Sequence, residues 1–462
     1  TQKELETIPI LDTDDIEKKS RPFTNAQSIA DGTIFLHHDI FTNGIAYFTL
    51  MFSMQSVPEK LLSAAGFLKE MLGFIGTKYR NYKDLNTLIN LETGDIGFEN
   101  AYYICHESPG DFDLELEVRV KVKSEKISKA FEIVREILFD PDFSDKKRIR
   151  ELTDTLKSRM QASMMSSGHA VSSSRALSYI SDPMYYNDKL SGLDFYHYVD
   201  ELEKDFDGRI DSVIKDMKKV LEILLHEDNL MVDLTGSEKD LETVKKCTAL
   251  VKERLSKKPS EPAPFNISKS IRNEGFRCPG QVQYVAKAGN FADRGLPYRG
   301  DLKVLKVIMG YDYLWNNVRV LGGAYGCMSA FARNGNMYLV SYRDPHLKNT
   351  IKIFDDASDF IKNFSVSSRD MTKFIIGTIS DMDMPLTPRA EGVRSLLAYM
   401  SGITLSDIQK ERDEVLSCDQ EKIRQLAPYL EVIRDDEVLC VVGAEEKIDE
   451  NASLFSEVRN LL

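Results

Sequence analysis

The stretch DLELEVRVKVK, Asp113 to Lys123, alternates strictly between polar and apolar side chains. Successive side chains of an extended strand point to opposite faces, so Leu114, Leu116, Val118, Val120 and Val122 share one face. A strand with such a face is not stable by itself; it needs neighbouring strands and an apolar layer to cover them. The cover follows in the chain. Ser124 is placed to cap a helix running to about Leu138. The segment Ser144 to Met165 then carries Ile149, Leu152, Leu156 and Met160 at helical spacing.

The same plan occurs twice. LMVDLTG (Leu230 to Gly236) predicts a strand that closes a first set of helices. Later come strands near Gln281 to Ala288, Cys327 to Arg333 and Met337 to Arg343, a helix from about Asp301 to Asn317, further helices, and the strand EVLCVVG (Glu437 to Gly443). Two local matches point to a duplication. TGSEKDL (from Thr235) corresponds to GAEEKID (from Gly443), and TGDIGFENA (from Thr93) to GGAYGCMSA (from Gly322); the second match pairs Gly94 with Gly323 and Ile96 with Tyr325. Between the copies, SKKPSEPAPFNISKSIRNEG (Ser256 to Gly275) breaks every period and reads as a linker. A chain of 462 residues also exceeds the roughly 250 to 300 at which single cores stop growing. The expected fold class is α+β: two homologous domains, each an antiparallel sheet covered by helices, over residues 1–255 and 276–462 with the linker 256–275 between them.

Composition excludes several functions. A net charge of −13 disfavours nucleic acid and anionic membrane surfaces as partners, since both are bound through basic patches. Apolar runs such as IAYFTLMF (Ile45 to Phe52) fall well short of the roughly 18 residues of a membrane span. The six cysteines are scattered without CxxC spacing and read as reduced thiols, which favours a reducing compartment. None of the seven histidines forms HxxH, HExxH or HxxEH, so no metal site is expected in this chain. GxSxG, P-loop and GxGxxG patterns are also lacking. The opening TQKELETIPIL has neither an initiator Met nor the regions of a signal peptide, and reads as the interior of a larger protein.

One stretch stands out chemically: RVLGGAYG, with Arg319, Gly322, Gly323 and Tyr325. Paired glycines mark a sharp turn or a close backbone approach. A guanidinium offers five fixed N–H donors and a neutral phenol offers one O–H, and such donors can hold a peptide carbonyl and the oxyanion formed from it. Spacing leaves a second reading open, with Arg319 salt-bridged at a helix end and Tyr325 packed in a core.

With LWNNVRVLGGAYG (Leu314 to Gly326) in view, the chain resembles the C-terminal half of a pitrilysin-type (insulysin-like) zinc peptidase. HDIFTNGIAYFTLMF (from His38) and DTDDIEKK (from Asp12) resemble the presequence protease and falcilysin subfamily. The resemblance implies four homologous α+β domains in two linked halves that close around a peptide. This chain would supply the third and fourth, and the zinc motif HxxEH would lie in the N-terminal half. AAGFLKEMLGFIGTK (Ala64 to Lys78) resembles the motif helix, with Gly66, Lys69 and Glu70, or in a shifted register Phe67, Glu70 and Met71, at the ligand positions. Neither register carries the two histidines.

The resemblance carries catalytic and substrate contacts over to Arg319 and Tyr325, with Gly322 and Gly323 in the same substrate-binding stretch. It implies zinc in the N-terminal half and none bound here. The implied partners are that HxxEH-bearing half and short unfolded peptides, with neither nucleic acid nor membrane. The implied activity is that of a metalloendopeptidase to which this chain, inactive alone, contributes chamber closure. The alternative is a free-standing inactive homologue acting as a scaffold or as partner of a separate zinc subunit. The expected location is cytoplasmic in a bacterium, or an organelle matrix.

Overall fold

The computed structural model describes residues 7, 11–108, 110–258, 261, 263, 267, 270 and 272–462. Most of the opening stretch and much of the proposed linker 256–275 therefore lie outside the described residues. The first sheet contains β1 (Ala26–Ala30), β2 (Thr33–Asp39), β3 (Ile45–Ser53), β4 (Asp95–Ile104), β5 (Phe112–Lys123) and β6 (Leu230–Gly236), in the order β1-β2-β6-β3-β5-β4. The second contains β7 (Glu274–Cys278), β8 (Tyr284–Asn290), β9 (Gly326–Phe331), β10 (Asn336–Tyr342), β11 (Val438–Ala444) and β12 (Glu457–Asn460), in the order β12-β7-β11-β8-β10-β9.

Without the outermost β1 and β12, the two orders are the same, strand for strand. The α+β class with two helix-covered sheets therefore holds. The sheets are mixed, however, where the sequence led to wholly antiparallel ones. β2 pairs with β6, and β7 with β11 and β12, in parallel. The cause is the long helical segment before β6 and before β11, which brings each strand back into its sheet by a crossover rather than a hairpin.

The ladders also refine the sequence alignment. Each edge strand is entered through a matching backbone bond, Gly94 N–H to the Lys121 carbonyl (2.7 Å) and Tyr325 N–H to the Tyr342 carbonyl (3.0 Å), the latter shared with the Arg343 carbonyl (3.3 Å). Counted from these bonds, Ile96 matches Cys327, and both lie against the core of their own half. Gly94 then occupies the place of Tyr325, two residues from the pairing with Gly323 drawn from the sequence.

Alternation holds in β5: Leu114, Leu116, Val118, Val120 and Val122 are buried under the helices of the first half. The segment from Ser124 starts as a 3-10 turn before the helix Ile127–Phe139, and Ser124 makes no cap bond there. The opposite face of each sheet is covered by the other half. Helix Gly168–Ser178 places Ala176 and Leu177 against Phe276, Tyr284, Ala288 and Cys440 of the second sheet. Helix Pro388–Met400 places Leu396 against Leu36, Met51 and Tyr103 of the first. Both helices approach closely through a glycine. A Cβ on Gly168 would lie 2.3 Å from the Tyr284 ring, and one on Gly392 would lie 1.8 Å from the Thr235 hydroxyl. Gly168→Ala and Gly392→Ala are each expected to cost about 1 to 3 kcal/mol of stability by overpacking, measured by urea unfolding; an unchanged midpoint would show that the contact relaxes freely.

Arg175 ties the same helix to the second sheet. Its guanidinium donates to Glu274 on β7 (2.6 and 3.1 Å), to Asp188 (2.6 Å) and to Asp194 (2.9 Å), and Tyr179 O–H also donates to Glu274 (2.5 Å). Glu274 is 0% exposed. Burial raises its pKa, but Arg175, the Tyr179 hydroxyl and Arg459 together outweigh burial and hold the carboxyl below its usual range.

Candidate functional site: the turn after a π-helix

The helix that begins at Asp301 is α-helical to Ile308, then widens into π-helical turns over Met309–Tyr313 and Trp315–Leu321. It thus ends four residues beyond the expected Asn317, and in a wider winding of a kind frequent at functional sites. The turn that follows explains both glycines. A Cβ on Gly322 would lie 2.5 Å from the Val318 carbonyl, and Gly323 has a left-handed φ of 78°. Gly323 N–H donates to the Arg319 carbonyl (2.9 Å) and Ala324 N–H to the Val318 carbonyl (3.1 Å), which closes the helix and sends the chain into β9. In the structure Gly322 and Gly323 make the turn that separates Arg319 from Tyr325.

Those two side chains are neighbours. The Arg319 guanidinium carbon lies 3.9 Å from the centre of the Trp315 ring and 5.7 Å from that of Tyr325. Among the described residues Arg319 has no ion pair and no side-chain hydrogen bond. Tyr325 is 67% exposed. The arrangement differs from the alternative left open by spacing, a salt-bridged arginine beside a core tyrosine. Tyr311, Trp315, Val320 and Leu321 are also exposed, so the donors stand on an apolar surface.

Four residues that sequence reasoning did not single out complete the surroundings. The Tyr342 ring meets Tyr325 edge to face at 5.9 Å and His169 at 4.8 Å. His169 opens the helix from the first half, so the site stands at the joint between the two halves. Burial lowers its pKa, which leaves the imidazole neutral near pH 7. Arg343, at φ 50°, extends over Tyr342. Trp315, four residues before Arg319 on the same helix, is the one of the four legible in the spacing. Cys327 lies nearby, but burial pushes its thiol up to about 11 despite Arg319, so it is no thiolate nucleophile at neutral pH. A surface recess of about 810 Å³ beside Lys19 and Leu405 holds none of these groups.

The helix Leu62–Met71, resembling the family's zinc helix, does not fit a metal. A Cβ on Gly66 would lie 2.3 Å from the Leu190 carbonyl, so no ligand can stand there. Phe67 and Met71 are in the core. Glu70 is taken up by Lys69 (2.7 Å) and by Arg159. Burial raises the Glu70 pKa, and the two cations more than offset this and hold the carboxyl below its usual range. Among the described residues no three His, Cys, Asp or Glu side chains converge on a common point.

Comparison with known proteins identifies the family. Residues 1–202 match the family described as associated with peptidase family M16, subfamily C, and residues 273–445 match the PreP C-terminal domain. The chain is 36% identical over 461 residues to Protein HypA of Clostridium perfringens, covering 100% of this chain and 47% of that protein. It is 30% identical over 465 residues to presequence protease 1, chloroplastic/mitochondrial, of Arabidopsis thaliana, covering 99% of this chain and 43% of that protein. The chain thus spans less than half the length of these relatives. In fold it is similar to a peptidase M16 inactive domain from Pseudomonas fluorescens, with a TM-score of 0.64 at 14% identity, covering 91% of this chain and 98% of that one.

Proposed function

Since the chain belongs to subfamily C of the M16 peptidases and carries their PreP C-terminal domain, we propose that it acts as the C-terminal, non-zinc half of a presequence-protease-like metalloendopeptidase degrading short unstructured peptides. Zinc and its general base would reside in an HxxEH-bearing N-terminal half, where bound zinc would polarise the scissile carbonyl and activate water. This chain closes the chamber and presents two donors to the substrate. Arg319 and the Tyr325 hydroxyl hold the carbonyl oxygen as negative charge develops on it, which lowers the barrier by preorganised electrostatics. The observation that carries the reading is Arg319 without an ionic partner among the described residues, beside the exposed Tyr325.

No helix among the described residues is long and apolar enough to cross a membrane. Relatives occur in bacteria and in organelles, and we assign this chain to a bacterial cytoplasm or an organelle matrix.

The chain purified alone is expected to hold no stoichiometric zinc and to cleave no peptide; joined to an HxxEH half it is expected to yield a chelator-sensitive peptidase. Metal analysis and peptide hydrolysis of both preparations check this. One tight zinc per isolated chain, with chelator-sensitive cleavage, would overturn the assignment. Stable association with an HxxEH half that brings no increase in cleavage would favour the scaffold reading.

A further inference from the structure

Arg319 is held in an unusual way for this protein. The chain has 73 acidic residues against 60 basic ones, and other arginines are fixed by carboxylates, as Arg175 is by Glu274, Arg412 by Asp383 and Arg254 by Asp140. Arg319 has none among the described residues. Instead its guanidinium carbon lies 3.9 Å from the centre of the Trp315 ring and 5.7 Å from that of Tyr325. All five N–H donors of a guanidinium lie in its plane, whereas contact with aromatic rings uses its faces. A carboxylate would fix the side chain equally well, but it would occupy the donors and cancel the charge. An aromatic contact fixes it and leaves both free.

We propose that Trp315 is the positioning residue for Arg319, whose guanidinium it orients so that the N–H edge is open to a carbonyl or carboxylate oxygen of a bound peptide. The inference rests on the reading of Arg319 as a substrate contact. Trp315 is 40% exposed and stands one helical turn before Arg319, so it belongs to the surface of the site rather than to the core. Its indole leaves the guanidinium few of the rotamers that an unpaired arginine on a surface would sample, and the substrate need not order it on binding.

The test compares Trp315→Leu, Trp315→Phe, Arg319→Ala and the Trp315→Leu/Arg319→Ala double variant in the complete protein, with a short unstructured peptide as substrate. Trp315→Leu is expected to lower kcat/KM about tenfold with little change in thermal midpoint, and Trp315→Phe, which keeps a ring face, to recover most of the loss. The double variant is expected to be no worse than Arg319→Ala alone, because nothing is left to orient. If Arg319→Ala is severe but Trp315→Leu is silent, or if Trp315→Leu costs as much without Arg319 as with it, the positioning role is overturned while the substrate contact stands. If Arg319→Ala itself leaves kcat/KM intact, the substrate contact and the positioning role fall together. The contact itself has a separate readout, because Trp315 is the one tryptophan of this chain. Its emission is expected to shift in Arg319→Ala, and an unchanged spectrum would show that the two groups do not touch.

Discussion

Tyr325→Phe in the complete enzyme is expected to lower kcat by about 10² to 10³, or roughly 2.7 to 4 kcal/mol, the usual effect of deleting one oxyanion donor. The change removes one hydroxyl from a ring that is 67% exposed and makes no side-chain hydrogen bond among the described residues, so packing is left as it was. The ring also stays in place beside Arg319 and Tyr342, which separates the hydroxyl's role from the ring's. Arg319→Ala is expected to cost at least as much, since the peptide loses a positioning contact as well as a donor. Steady-state kinetics with zinc content and unfolding midpoint as controls checks both. Full kcat/KM in Tyr325→Phe would sink the catalytic assignment.

The second large effect lies away from the site. Arg175→Ala is expected to destabilise the chain by about 3 to 5 kcal/mol at neutral pH, because it removes the cation shared by Glu274, Asp188 and Asp194 and leaves Lys189 to pair Asp194 alone. The pH dependence has a definite sign. In the native chain Glu274 titrates below its usual range, so its pairing stabilises the fold above a pH of about 4.3 and that contribution is lost as pH falls. Without Arg175, burial is opposed only by the Tyr179 hydroxyl and Arg459, the Glu274 pKa rises, and the variant loses stability as pH rises. The gap between the two proteins is therefore expected to narrow toward acid pH in urea titrations. A gap that is constant from pH 7 to pH 4 would mean that lost packing, not charge, carries the effect.

β5 is legible in the sequence because its two faces differ in chemistry, not because one is exposed: its apolar residues lie where the pattern puts them, and on the other face Glu115 and Glu117 are buried too, Glu117 beside Tyr103 and Arg119. β3 gives no such period, because both faces of the first sheet are covered: Phe48 and Leu50 face one layer and Met51 the other. The parallel pairs are hidden for another reason, since strand direction depends on where β6 and β11 insert after some hundred residues of helix. Within the site the turn glycines and the Arg and Tyr can be read from eight residues. Tyr342, Arg343 and His169 cannot, because they arrive from a neighbouring strand and from the other half of the molecule.

The reciprocal placing of helices Gly168–Ser178 and Pro388–Met400 amounts to a twofold interface made within a single polypeptide. In a homodimer built this way any substitution appears twice, once on each side of the axis. Joining the copies in one chain removes that constraint. Position 94 can remain glycine while its counterpart 325 bears a phenol, and Glu70 can be committed to Lys69 and Arg159 with no demand that the second copy follow. Covalent fusion thus lets the two copies of one architecture diverge position by position, as the proposed division into a substrate-contacting and a supporting side requires.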